Sequence, residues 1–213
     1  GRALEKRDIV ASVAHSDATY DEAVMALEYG YRDITHIYSG CSSVIRKNAY
    51  RIAGVVEAGL VRDEYTVQMI ADLKHLPVSL IKLIYKCKGA DRISLITDGL
   101  EYAASELKEG TVYRQPGGIE TVYEDGVMKL MDRQAFAGSA ATCRKLVYNL
   151  YRHADIPLLD TVKMATLTPA KRIGVANRKG MITAGYDADI LLFDDNIDIR
   201  MVMVNGKMLF NRL

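Results

Sequence analysis

Three of the four histidines and one aspartate fall where reacting groups gather in an alternating strand–helix chain. His15 and His36 each close a short β-rich run, His75 follows a third by four residues, and Asp98 closes a fourth. Neutral imidazole is a common zinc ligand, and a nearby carboxylate can take a proton from water held by a metal. Two histidine ligands, a third histidine and an aspartate on one rim therefore point to a metallohydrolase. A lone histidine at a strand end is more often a hydrogen-bonded structural residue. The joint placement changes that balance, because structural histidines have no reason to cluster at one end of successive strands. His153 lacks that placement and reads as a surface residue at a helix end, and Asp17 as a cap or loop residue.

The elements that must position these groups follow a simple rhythm. Residues 8–14, 33–36, 66–71 and 92–97 carry few charges and read as buried strands of a parallel sheet covered on both faces. Helices are expected between them: one opened by the capping box Thr19 to Glu22 and closed at Gly30, one over 49–60, and one over 78–88 before Gly89. Such alternation means βαβ units with right-handed crossovers. A β-rich excursion at 99–137 precedes a helix expected over 139–153, and another helix is expected over 158–172. Strands follow at 181–183, 188–193, 199–205 and 207–210, with Asn205-Gly206 as the last hairpin turn. The domain division expected is 8–175 for the βα units and 176–213 for part of a small β-sandwich.

Composition removes other classes. The chain has 213 residues, 49% apolar and 26% charged, with a formal net charge of +1. Disorder needs low hydrophobicity with high net charge, and a nucleic-acid partner needs an excess of Lys and Arg. Neither is present, and no apolar run is long enough to span a membrane. The charged opening from Gly1 to Asp8 has no apolar signal region. Three cysteines, odd in number and without CxxC spacing, suggest reduced thiols and a cytoplasmic chain.

Other candidates are ambiguous. Arg46, Lys47 and Arg51 either hold an anionic group such as a phosphate or form a solvated basic loop. Gly138-Ser139 reads as a helix start, which serves an anion or an ordinary cap equally well. Cys41-Ser42-Ser43 has no base at a helpful spacing, and Cys87 and Cys143 read as core positions.

The segments Ala14-His15-Ser16-Asp17, Thr35-His36-Ile37-Tyr38, Ala71-Asp72-Leu73-Lys74-His75 and Ile96-Thr97-Asp98 resemble, in order and spacing, the N-acetylglucosamine-6-phosphate deacetylases of the amidohydrolase superfamily. Phe136-Ala137-Gly138-Ser139 and the tail from Ala165 to Asp189 are similar as well, so the resemblance runs from about residue 8 to 210. It implies a (β/α)8 TIM-type barrel, of which four βα units, the C-terminal half, are present here, together with part of a β-sandwich. By the same resemblance His15 and His36 are ligands of a divalent metal, zinc first, with iron, manganese or cobalt as alternatives. Asp98 is then the general base and His75 contacts the substrate near its acetamido group. Backbone N–H groups at Ser39 and Gly40, Arg46 or Arg51, and the Gly138-Ser139 segment would hold the rest of an amino-sugar 6-phosphate.

This sequence has Ser39-Gly40 where the family usually has Asn-Ala, and Leu73 where it has Gly. A full barrel takes roughly 250 residues, and the family's glutamate ligand lies on a strand upstream of any here. The half barrel is expected to expose two strand edges and an apolar inner face, to be covered by a second copy or a complementing N-terminal half. Alternatives are an inert fragment that self-associates through those edges, and an amidohydrolase acting on a different N-acyl substrate.

Overall fold

The protein was analysed as a computed structural model, which describes every residue except Ala104. A helical turn, α1 (Arg2–Glu5), leads into four βα units. They run β1 (Ala11–Val13), α2 (Tyr20–Ala26), β2 (Tyr31–Ile34), a hairpin of β3 (Ile45–Lys47) and β4 (Tyr50–Ile52), α3 (Val55–Val61), β5 (Thr66–Met69), α4 (Val78–Lys88) and β6 (Ile93–Leu95). Strands β1, β2, β5 and β6 form one parallel sheet in that order, as the alternation of elements requires. The capping box forms: the Thr19 side chain accepts from the Glu22 N–H, and the Glu22 carboxylate accepts from the Thr19 N–H. Helix α4 occupies the expected residues, closed by Gly89.

Register divides the sheet into two unlike faces. Ile34, Val67, Met69, Ile93 and Leu95 are buried against α2, α3, α4 and α5 (Cys143–His153), where Ala23, Val56, Ile81, Ile84, Leu146 and Leu150 complete the core. Each large side chain enclosed there contributes about 1.5–3 kcal/mol. The opposite face carries Ser12, Asp33, Thr66, Gln68 and Ser94, paired side by side across the ladder. Asp33, buried, is the hub of this face. It accepts from Ser12 Oγ at 3.0 Å, Thr66 Oγ1 at 2.5 Å and Gln68 Nε2 at 2.6 Å. Arg172 Nε lies 3.9 Å from Asp33 Oδ1. The expected apolar inner face is therefore a polar one, because the strands alternate in character instead of running continuously apolar.

The excursion is a three-stranded antiparallel sheet of β7 (Val112–Arg114), β8 (Glu120–Glu124) and β9 (Val127–Leu130), with Ala104 of this stretch outside the described residues. Several other expectations change. Residues 49–60 do not form one helix, because Tyr50–Ile52 turns back on Ile45–Lys47 through Asn48 and Ala49, both at positive φ. The helix expected over 158–172 is two, α6 (Leu158–Ala165) and α7 (Leu167–Arg172). Pro169 has no N–H for the Ala165 carbonyl and its ring would clash with it, so the helix ends and restarts around Thr166. Residues 181–183 form no strand; they are irregular backbone after Gly180, with Ile182 exposed. Cys87 and Cys143 are exposed on their helices instead of in the core. The tail folds as an antiparallel sheet of β10 (Ile190–Phe193), β11 (Ile199–Val204) and β12 (Lys207–Asn211), pinned to α5 where Arg144 donates to the Ile197 carbonyl and pairs with Asp198. No helix among the described residues is long and apolar enough to cross a membrane.

Candidate active site

Backbone pairing continues a step beyond the strands at their carboxyl ends. The Thr35 N–H donates to the Val13 carbonyl, Ile37 to Gln68 and Ile96 to Met69. There the chain turns outward through left-handed backbone at His15 (φ 44°), His36 (φ 29°) and Asp98 (φ 48°). None of these is glycine, and each costs about 1 kcal/mol or more, strain of a kind that collects at functional sites. The turns carry His15, His36, His75 and Asp98 to one cavity of about 540 Å³, also lined by Ser39, Gly40, Leu100, Phe136 and Gly138.

His15 Nε2 and His36 Nε2 lie 3.1 Å apart, with their rings tilted by 52°. Two nitrogens bound to one zinc at tetrahedral angles stand about 3.3 Å apart, so the pair fits two adjacent corners of a divalent cation's shell. Gly40 permits this approach: at φ 60° its backbone runs against the His15 ring, and a Cβ there would sit 3.1 Å from Cγ. His36 Nδ1 is buried without a protein partner. Among the described residues no group of three or more His, Cys, Asp or Glu side chains is placed to hold a metal ion.

Asp98 is exposed to the cavity, and its backbone is fixed from the far side. The Ser139 N–H donates to the Asp98 carbonyl at 2.8 Å, and the Leu100 N–H donates to the Ser139 carbonyl. Gly138, at φ 102°, lies against that carbonyl, where a Cβ would come within 3.0 Å. Ser139 is therefore fully buried strand-like backbone supporting Asp98 and not the start of a helix. Helix α5 begins at Cys143, capped by Thr142, because the Ser139 backbone is held by Asp98 and Leu100. His75 packs against the Phe136 ring at 4.9 Å between centroids, and its Nδ1 meets Asp72 Oδ2 at 2.7 Å.

The remaining candidates divide. Ser39 and Gly40 line the cavity, but the Ser39 N–H is spent on the His36 carbonyl at 2.9 Å. Arg46 and Arg51 stand directly opposite each other on the exposed β3–β4 hairpin, outside the cavity lining. Neither they nor Lys47 pairs with an acidic side chain among the described residues, although like charges facing across strands repel. Cys41 is half-buried; burial pushes its thiol up, which suits a quiet packing residue. Asp72 and Phe136 carry no signal of a role in the sequence beyond the Asp-x-x-His spacing.

The sequence profile of the Amidohydrolase family matches residues 11–209. The chain belongs to the amidohydrolase family. Members of this family generally use a divalent metal. The chain is 29% identical, over 97% of its length, to an N-acetylglucosamine-6-phosphate deacetylase of Lysinibacillus sphaericus, and covers 51% of that relative. It is 25% identical to an N-acetylgalactosamine-6-phosphate deacetylase of Escherichia coli O157:H7, covering 52% of it. Among solved structures it superposes on N-acetylglucosamine-6-phosphate deacetylase from Pasteurella multocida with a TM-score of 0.89 and 30% identity, covering 99% of this chain and 53% of that one. The chain thus spans about half the length of the curated relatives it matches.

Proposed function

We infer that this chain is part of a metal-dependent amide hydrolase that removes the acetyl group from an N-acetylhexosamine 6-phosphate, first of all N-acetylglucosamine 6-phosphate. The observation that carries this reading is the convergence of His15 Nε2 and His36 Nε2 at 3.1 Å in one cavity with Asp98 and His75. His15 and His36 hold the divalent metal, which when bound supplies Lewis acidity to the reacting centre. Asp98 takes a proton from the attacking water and returns it to the departing amine. His75 lies against the acetamido carbonyl, and the Phe136–Gly138 segment closes the cavity beside it. Gly40 offers its backbone N–H to the phosphate end. Arg46 and Arg51, on the hairpin outside the cavity, reach the phosphate only in an assembly or after the hairpin moves.

In this reading the four βα units are half of a (β/α)8 barrel and the tail is part of a small β-sandwich. That no group of three or more His, Cys, Asp or Glu side chains is placed to hold a metal among the described residues favours a chain that is completed by the corresponding N-terminal half or by a second copy. The matched relatives include both hexosamine epimers, so the acyl group and the phosphate are the firmer parts of the substrate.

Acetate release from N-acetylglucosamine 6-phosphate should be measured for the chain alone and with a co-expressed N-terminal half of a homologous deacetylase. The expected result is release with the complement, tracking about one metal per chain by elemental analysis, with both lost in His36→Ala. Absence of metal and of acetate in the complemented sample overturns the reading.

A further inference from the structure

Asp72 lies one turn before His75, and both of its carboxylate oxygens are committed to that loop. Oδ1 accepts the N–H groups of Lys74 at 2.8 Å and of His75 at 2.9 Å, while Oδ2 meets His75 Nδ1 at 2.7 Å. Only 3% of the Asp72 side chain and 5% of the His75 side chain are exposed. Burial pushes the Asp72 carboxyl up, but the His75 hydrogen bond and charge, with the two backbone N–H groups, outweigh it and hold the group below its ordinary value. Asp72 is then a carboxylate, which can only accept, so the proton between it and the ring belongs to Nδ1.

The pair is also braced from outside. Asn149, fully buried in α5, donates from Nδ2 to the Ala71 carbonyl at 2.9 Å, which fixes the residue before Asp72. Phe136, arriving from the excursion, packs on the imidazole. These contacts come from three separate parts of the chain and converge on the orientation of one ring.

We propose that Asp72 is a positioning residue that locks His75 as its Nδ1–H tautomer and leaves Nε2 as the ring nitrogen that meets a ligand in the cavity. The neutral ring then offers Nε2 as an acceptor. It donates to a carbonyl oxygen only when it carries both protons, a state whose charge Asp72 balances. The tautomer follows from these contacts and the charge on Asp72; only the identity of the ligand rests on the deacetylase reading. Asp72→Asn is the informative change. Its Oδ1 can keep the two backbone N–H bonds, while Nδ2 would donate to His75 Nδ1 and force the ring to the opposite tautomer.

The test is long-range proton–nitrogen correlation NMR on the whole chain labelled with nitrogen-15 in histidine. The His75 signals are assigned by their disappearance in His75→Gln. The wild type is expected to show a protonated Nδ1 and a bare Nε2 in the neutral ring, and Asp72→Asn the reverse with unchanged circular dichroism. A wild-type ring protonated at Nε2 alone overturns the proposal even if the variant fails to fold, as does a folded variant with an unchanged tautomer. In the complemented acetate assay, Asp72→Asn is expected to lower kcat by about ten-fold or more, with KM little changed; a rise in KM alone counts against the proposal. Should the wild type release no acetate, the deacetylase reading fails while the spectra still decide the tautomer.

Discussion

The two faces of the parallel sheet are built on different principles, although each strand contributes to both. On the helix-covered face, Ile34, Val67 and Ile93 lie side by side and are held by exclusion of water. One residue away, Asp33 gathers the side chains of Ser12, Thr66 and Gln68 by directed hydrogen bonds. The first face tolerates imprecise partners but not lost volume; the second tolerates little change in donor and acceptor count. The contrast teaches that the covered face supplies the bulk of stability, while the polar face fixes strand register beneath the rim that carries His15 and His36.

Substitutions at adjacent positions separate these principles. Ile34→Ala is expected to have the largest effect, about 2–5 kcal/mol in urea unfolding, because it leaves a cavity in a closed core. Asp33→Asn should cost about 1–3 kcal/mol, since its amide nitrogen would present a donor to groups that need an acceptor. A larger loss for Asp33→Asn than for Ile34→Ala would invert the comparison. Lys88 probes the covered side differently. It is buried among the helices, donates to the Arg62 carbonyl at 2.7 Å, and burial lowers its amine to about 8. The unfolded chain keeps that proton to about pH 10.4. Between these values the unfolded state binds more protons, so the Lys88 contribution to stability rises with pH. Thermal melts from pH 8 to 10 should show a more favourable slope in the wild type than in Lys88→Met. The smallest effect is expected at Ser94, whose Oγ is buried on the polar face without a partner. Ser94→Ala should stay within about 0.5 kcal/mol of the wild type; a clear loss would mean that this hydroxyl belongs to the Asp33 network after all.

Much of this arrangement is legible in the sequence. The order of strands and helices, the Thr19–Glu22 cap and the extent of α4 follow from local periodicity and end signals, which act over a few residues. The assembly of His15, His36, His75 and Asp98 in one cavity followed from their shared position at strand ends. What escaped depends on contacts distant in sequence. Ser139 looks like a cap until its backbone bonds to Asp98 and Leu100 hold it beside the rim. Tyr50–Ile52 looks helical until Ile45–Lys47 offers it a partner. The polar face was written in the alternation of Thr66-Val67-Gln68-Met69 and Ile93-Ser94-Leu95, but short strands with few charges invite a reading as uniformly apolar runs. Asp72 escaped because a carboxylate three residues from a histidine declares its purpose only when both side chains are enclosed.

The polar lining of the sheet has a consequence for calorimetry. Removing apolar surface from water lowers the heat capacity of a system, and removing polar surface raises it. On this face Ser12, Thr66 and Gln68 remain partly exposed, so whatever closes over it covers hydroxyl and amide groups instead of oily ones. Closure over this face should have an enthalpy that changes little with temperature, unlike the collapse of helices onto Ile34 and Val67.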